Sequence, residues 1–159
     1  MLRRTILVLL TGFLVLLTGP ADAAPPTAAP TTTTVTEQGV VATFEDVLPT
    51  CEDGGALYTI TTTSNDIQHM TAFDDGRTHE TFTSTGTFTA APLTDTSLPT
   101  YTGKFTIWGG FNQNRSRQGG TFTFNVRGTG SDGSTLAYHS VSHFGTRPDM
   151  TTREFFHCH

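Results

Sequence analysis

Residues 77–90 read RTHETFTSTGTFTA, and this stretch decides the fold. Threonine occupies every second position from Thr81 to Thr89, and the positions between hold Phe82, Ser84, Gly86 and Phe88. Successive side chains of a strand point to opposite faces, so the alternation predicts a long β-strand with a threonine face and a phenylalanine face. Gly86 indicates a bend or bulge within that strand.

Turn signals on both sides extend the pattern along the chain. Asp74-Asp75-Gly76 predicts a hairpin between residues 67–73 and 77–90. Gly130-Ser131-Asp132-Gly133 predicts a second hairpin between residues 121–129 and 134–144. Further strands are predicted at residues 40–47, 56–63, 101–108 and 153–159. No window after Ala24 has helical periodicity, so the sequence predicts an all-β domain of about eight strands.

Tight turns without crossover helices favour antiparallel closure of these strands. A closed antiparallel barrel removes the exposed edges of a threonine-rich sheet, and it is the predicted architecture. Eight strands enclose an interior that side chains fill or that holds one small ligand. A two-sheet β-sandwich is the alternative, which strand patterning does not separate from a barrel.

The first 23 residues have the features of an export signal. Arg3 and Arg4 precede an apolar run at residues 6–17, and Ala21-Asp22-Ala23 offers a small-x-small cleavage site. The run is well short of the ~20 residues that a spanning helix needs. We therefore expect a cleaved signal peptide at residues 1–23, a secreted mature protein and no membrane span after processing. The arginine pair loosely fits a twin-arginine signal, but the run after it is very apolar and no lysine follows, so we predict the general secretory route.

The mature chain begins with a segment unlike the rest. Residues 24–34 read APPTAAPTTTT and are predicted to form a disordered spacer before a single domain at residues 35–159. Removing Arg3, Arg4 and Asp22 leaves seven basic and thirteen acidic residues, a net charge of −6. This balance argues against nucleic acid or anionic lipid as partners, since both need a basic face.

Cys51 and Cys158 are the only cysteines. In an exported chain, two cysteines predict one disulfide, which here fixes the C-terminal strand. A metal site built from His157, Cys158 and His159 is the alternative. Adjacent strand residues point to opposite faces, so these three side chains do not converge on one ion. No metal or other cofactor is predicted.

His139 and His143 are the histidines on which a site hypothesis depends. Their spacing would suit a metal on a helix, but four residues along a strand span ~13 Å. If Asp132-Gly133 is a two-residue turn, the register places both rings inside the barrel, beside Phe122 and Phe124. A three-residue loop would turn both outward. We predict the inward arrangement, because a type I′ turn suits the strand twist.

No catalytic motif is evident. Residues 128–133 match the dinucleotide pattern G-x-G-x-x-G, but an alternating strand follows instead of the required helix, so the glycines are interpreted as turn residues. Enzymatic activity is therefore left open and is not favoured.

Two stretches, YTGKFTIWGGFNQN at residues 101–114 and GTFTFNVRGTGSDGSTLAYHSVSHF at residues 120–144, resemble a group of small exported actinobacterial proteins of unassigned function. They cover about a quarter of the chain. The strand-and-turn layout is also similar to the barrels of allene oxide cyclases and dirigent proteins. That likeness implies a barrel and, without a shared catalytic motif, no activity.

These observations predict a secreted barrel that binds a small-molecule or cell-envelope ligand in its interior or mouth. One alternative is a barrel cyclase or isomerase with an inward histidine as acid or base, and another is a structural cell-envelope module with a working outer face. The oligomeric state is not predicted. The candidate ligand-binding residues are Trp108, Phe122, Phe124, His139, His143, Arg115 and Arg117.

Overall fold

The computed structural model describes residues 28–52, 54–114, 117–147, 149 and 151–159. This part of the chain is all-β and forms seven antiparallel strands in one sheet. The strands are β1 (Thr31–Val47), β2 (Leu57–Ala72), β3 (Thr78–Pro92), β4 (Tyr101–Gln113), β5 (Gln118–Gly130), β6 (Thr135–Thr146) and β7 (Thr152–Cys158). The predicted signal peptide at residues 1–23 lies outside the described residues. Among the described residues, no helix is long and apolar enough to cross a membrane.

The strand order is a simple meander, in which each strand pairs only with its neighbours in sequence. The all-β prediction is confirmed, and the strands lie in one sheet rather than in two. Within the described residues β1 pairs with β2 and β7 pairs with β6, so hydrogen bonds do not close the sheet.

One predicted break between strands does not occur. Residues 56–63 and 67–73, predicted as separate strands, form the continuous strand β2, which lowers the count from eight to seven. The polar residues at the predicted break keep the alternation: the Ser64 hydroxyl donates to Asp66 Oδ2 (3.1 Å). On the opposite face, Asn65 Oδ1 accepts from the Gly39 N–H (3.0 Å). The polar residues 64–66 thus remain part of the strand, because the side chains of Ser64, Asn65 and Asp66 each have a hydrogen-bond partner nearby.

The spacer prediction is wrong at its C-terminal end. Residues 24–27 lie outside the described part of the chain, but Thr31 already begins β1 and pairs with Ala72. Cross-strand bonds hold this segment, including one from Thr34 Oγ1 to His69 Nδ1 (2.8 Å). Threonine favours strands, so a threonine run beside an extended partner joins the sheet.

The sheet has a core face and an outer face. The core face carries the buried cluster, and the outer face carries the threonines of β3. Phe105, Phe124 and Leu48 pack against this cluster from its margins. The buried apolar members are Tyr58, Ile60, Phe88, Ala90, Val126, Leu136 and Tyr138.

The disulfide between Cys51 and Cys158 is confirmed, with the two Cα atoms 5.6 Å apart. Cys158 ends β7, and Cys51 follows the end of β1 by four residues, a reach of about 13 Å. In a flat sheet the first and seventh strands would lie about 29 Å apart. The disulfide therefore requires the sheet to curl until its two edges approach each other at this end.

Glycines on the core face lie under phenylalanine rings of the neighbouring strand. The cross-strand partners are Gly86 with Phe105, Gly103 with Phe88, Gly109 with Phe122, and Gly120 with Phe144. A Cβ at Gly109 or Gly120 would lie 2.8 Å from a carbon of the covering ring. Such glycine–aromatic pairs fix the register and allow a strongly curved sheet.

Of the bend or bulge predicted at Gly86, the bulge does not occur. The pairing of β3 with β2 and with β4 runs through Gly86 without a shift. The register shift lies in β1 instead, between Gln38 and Val40, where Gly39 has φ +64°. A Cβ at Gly86 would meet the Thr63 carbonyl oxygen and would lie 2.9 Å from Ser64 Cα and 3.0 Å from Phe105 Cε1, so close packing on β2 and β4 requires glycine there.

Aspartates shape several connections through a repeated local hydrogen bond. Asp95, Asp132 and Asp149 each accept the backbone N–H two residues later through Oδ1, at 2.9–3.0 Å. The hydroxyl of that later residue donates to the same oxygen at 2.6 Å in all three turns. The hydroxyl bond first, and then the backbone bond, lower the pKa of each carboxyl group.

These turns predict an acid-dependent loss of stability. A lowered folded-state pKa contributes stability that is present above the unfolded value of about 3.9 and is lost as pH falls through the folded value. We expect the melting temperature to fall as pH decreases from about 5 to about 2, and Asp132→Asn to reduce that dependence. Thermal unfolding followed by circular dichroism measures it, with Glu52→Gln as the control. An unchanged pH profile in Asp132→Asn would contradict the assignment.

Candidate functional site

The loop of the second hairpin decides which face carries His139 and His143. The Gly130 N–H donates to the Ser134 carbonyl (2.8 Å), which leaves a three-residue loop in which Gly133 has φ +84°. His139 therefore pairs with Asn125, and Val126 pairs with Tyr138. The predicted inward orientation is wrong, because a glycine in the left-handed region ends a three-residue turn where a two-residue type I′ turn was expected.

All six histidines lie on the outer face, since each pairs across the sheet with an outer-face residue. Cross-strand bonds orient four of the rings through Nδ1. His69 bonds Thr34 and His143 bonds Thr121, both at 2.8 Å. His79 bonds the side-chain amide oxygen of Asn112, and His139 bonds that of Asn125.

A groove of about 540 Å³ crosses the outer face over β3, β4 and β5 and reaches β6. Trp108 borders it, with 48% of its surface exposed. His143 lines it from the neighbouring strand β6. The lining comprises Thr81, Phe82, Thr83, Trp108, Gly109, Gly110, Asn112, Gly119, Gly120, Thr121 and His143.

Glycines give the groove its floor. Gly110 stands between Thr81 and Thr121 across the strands, and Gly119 pairs with Asn112. Both positions belong to the outer face, where the lack of a side chain leaves a depression beside Trp108. In each glycine pair of the sequence, Gly109-Gly110 and Gly119-Gly120, one member lies under a core-face ring and the other forms the groove floor.

The groove combines one aromatic face with hydroxyl, amide and imidazole groups. Among the residues that the structure describes, the lining includes no carboxylate, lysine or arginine, and His143 is its one titratable side chain. General acid–base chemistry needs a positioned proton donor and acceptor, and paired carboxylates are the usual device for glycosidic bonds. The described lining thus offers one imidazole beside hydroxyl and amide groups, without a second titratable side chain next to it.

The structure brings only two of the predicted site residues, Trp108 and His143, to one groove. His139 lies on the same face, bonded to Asn125 and stacked with His159 at a ring separation of 5.7 Å. Arg117 lines a second depression of about 510 Å³ with His79 and Asn112, next to the connection between β4 and β5. Arg115 lies outside the described residues.

Phe122 and Phe124 lie on the core face, away from the groove opening. Phe122 stacks on Phe144 with ring centroids 5.9 Å apart and planes inclined by 7°, and it contacts Phe82 at 5.7 Å. Phe124 meets Tyr138 edge to face at 5.7 Å. These rings pack the core face and cover its glycines, which accounts for their presence without a ligand.

The alternative metal site is not formed. Cys158 is in the disulfide, and no group of three or more histidine, cysteine, aspartate or glutamate side chains within the described ranges is placed to hold a metal ion. His157 and His159 do lie on one face, with ring centroids 4.1 Å apart.

Comparison with protein-family models, with curated proteins and with solved structures finds no match for this chain. The site is therefore interpreted from its own geometry.

Proposed function

We propose that this protein is a non-catalytic binding module that holds a neutral saccharide in the groove on its outer face. The observation that carries the proposal is Trp108, a large aromatic side chain that is 48% exposed beside a groove with a glycine floor on a face rich in threonine. An exposed indole in a concave surface that also holds hydroxyl, amide and imidazole groups indicates ligand contact more than core packing.

The groove matches the surface of a sugar ring. One side of a pyranose presents C–H groups, which pack on an indole face, and its rim presents hydroxyl groups that both donate and accept hydrogen bonds. Thr81, Thr121 and Asn112 supply matching polar atoms, and the bond from Thr121 Oγ1 to His143 Nδ1 fixes the imidazole in place. From Trp108 to Asn112 the strand extends about 13 Å, longer than one six-membered ring, which favours an extended chain.

The proposal includes secretion and a cell-envelope ligand. A disulfide persists in an oxidising compartment, and the confirmed bond between Cys51 and Cys158 supports that location. The arginine pair, apolar run and cleavage site predicted within residues 1–23 support export. The mature chain is net acidic, and the described residues that line the groove carry no lysine, arginine or carboxylate, which suits a neutral polysaccharide better than a charged polymer.

The proposal also includes a barrel-like shape. The curl that the disulfide requires, together with the uniform meander, supports a sheet bent most of the way around its core face. The enzyme alternative, a barrel cyclase or isomerase, depended on an inward histidine. It has less support, because all six histidines belong to the outer face.

The chain contains one tryptophan, so intrinsic fluorescence reports on the groove directly. We expect neutral oligosaccharides, tested as cello-, chito-, xylo- and malto-oligomers, to change Trp108 emission saturably for at least one series. Trp108→Ala should weaken binding to the matching insoluble polysaccharide at least tenfold, since a central aromatic contact contributes about 2 kcal/mol. Isothermal titration and pull-down measure the variant that lacks the fluorophore.

Matched variants separate the groove from the rest of the face. Phe155→Ala removes an aromatic side chain that is 59% exposed on the same face but outside the groove, and binding should be retained. Gly110→Val fills the floor and should abolish binding, with the melting temperature as a check that the sheet is intact. Binding that survives both Trp108→Ala and Gly110→Val, or no binding to any series, would refute the proposal.

A further inference from the structure

The two edge strands of the sheet run in the same direction. Consecutive strands are antiparallel and there are seven of them in the described structure, so β1 and β7 are parallel to each other. We call the gap between these two edges the seam. A single extra strand, running opposite to both edges, would form antiparallel ladders on both sides and complete an eight-stranded barrel.

The hydrogen bonds that β7 makes with β6 and that β2 makes with β3 show which residues direct their N–H and C=O groups into the seam. His139 and His159 exchange both N–H···O bonds, at 3.1 and 2.9 Å, so His159 and alternate residues before it face β6. Glu154 and Phe156 therefore direct their N–H and C=O groups to the free edge of β7. On the other side, the Leu57 carbonyl accepts from Leu93 N–H (2.9 Å), so odd-numbered residues of β2 face β3.

The alternation of hydrogen-bonding direction along β2 then determines which residues of β1 face the seam. Thr43 pairs with Thr61 and Glu45 pairs with Thr59, both odd-numbered residues of β2. Because those partners direct their backbone groups to β3, Thr43 and Glu45 direct theirs away from β2, into the seam. Both edges thus offer donors and acceptors in the spacing that an extended strand matches.

Burial on the core face declines toward the seam. In the central strands, Ala90 is 0% and Val126 is 4% exposed. At the edges, Phe44 of β1 is 46% and Phe156 of β7 is 63% exposed, although both belong to the core face. Uncovered aromatic side chains on both margins of one gap indicate that apolar side chains belong between them.

Charge and the disulfide restrict the occupant further. β1 carries Glu37, Glu45 and Asp46 and no lysine or arginine, while the single arginine and glutamate of β7 balance. The bond between Cys51 and Cys158 links the connection after β1 to the end of β7, so it limits how far the two edges separate at that end. Glu37 and Asp46 belong to the core face and Glu45 to the outer face, so the acidic excess belongs to the seam as a whole. It favours an extended, net basic peptide with apolar residues at alternate positions.

We propose that the seam between β1 and β7 binds such a strand from a partner polypeptide, which pairs with both edges and completes the barrel. This site is independent of the saccharide groove, because it uses the backbone edges and core face of β1 and β7 rather than the outer face of β3, β4 and β5.

Amide hydrogen exchange by NMR tests the proposal with a defined probe. The probe is a synthetic peptide of about ten residues with alternating valine and lysine. In the free protein, the amides of Thr43, Glu45, Glu154 and Phe156 should exchange rapidly. Saturating peptide should slow all four at least tenfold. Protection on one edge only, or on neither, would overturn insertion into the seam.

Two substitutions at one position provide the matched control. Glu154→Pro removes an edge N–H without touching the bonds to β6, and proline is accepted on an edge strand. It should weaken peptide binding at least tenfold, whereas Glu154→Ala should bind within about threefold of wild type. Equal binding by both variants would overturn the proposal. A peptide in which glutamate replaces lysine should bind more weakly. If sedimentation shows a dimer that Glu154→Pro disrupts, a second copy of the chain occupies the seam, and the proposal of a partner strand is overturned.

Discussion

The double variant Cys51→Ser/Cys158→Ser is expected to unfold with a free energy about 4.7 kcal/mol lower than that of the wild type. The bond closes a loop with a sequence separation of 107 residues, and a cross-link of that length removes much conformational freedom from the unfolded chain. Domains of ordinary size are stable by about 5–15 kcal/mol, so this loss would leave the variant marginally stable.

The folded state gives a second reason to expect a large effect. Hydrogen bonds do not join β1 to β7 in the described structure, where β7 pairs with β6 alone. The disulfide is the covalent link that holds the end of β7 beside the connection after β1. Without it, we expect the amides of β7 that face β6 to exchange faster than those of β3 and β4.

Chemical denaturation followed by circular dichroism measures the change in the free energy of unfolding. Wild-type protein in reducing agent should match the double variant, which separates loss of the bond from the substitutions themselves. A difference of less than about 1 kcal/mol between oxidised wild type and the variant would contradict the role assigned to the disulfide.

The positions of most strands could be predicted because alternation is local. The run from Thr81 to Thr89 predicts its own strand, and Asp74-Asp75-Gly76 marks its start. Strand continuity depends on partners that the sequence does not reveal. The segment Ser64-Asn65-Asp66 resembles a turn until Gly39 and the neighbouring side chains supply its hydrogen bonds.

The facing of His139 and His143 could not be predicted, because one residue of loop length reverses it. The same Asp132-Gly133 pair suits a two-residue or a three-residue loop, and the bond from the Gly130 N–H to the Ser134 carbonyl shows that the three-residue loop forms. Trp108 could be selected from the sequence as an aromatic side chain of interest. The glycine floor beside it depends on the register of β4 with β5, which is a tertiary property.

The glycines of the core face lead to the second large effect. Gly103→Ala is expected to destabilise the sheet by about 1–3 kcal/mol, the usual cost of an overpacked core. A Cβ at Gly103 would lie 2.6 Å from Gly128 Cα and 2.8 Å from Phe88 Cε1, and it would also meet the Arg127 carbonyl oxygen. Two of these three atoms are backbone, so a change of side-chain rotamer does not relieve the clash.

Gly145→Ala is the matched control, in the neighbouring part of the same sheet. Its added Cβ would have the Gln118 carbonyl oxygen, at 3.9 Å, as its nearest neighbour. Alanine in a strand interior is about 0.5–1 kcal/mol more favourable than glycine, so this variant should be neutral or slightly more stable. The two substitutions add the same methyl group and should change the free energy of unfolding in opposite directions. Equal effects in denaturant titrations would contradict the close packing assigned to Gly103.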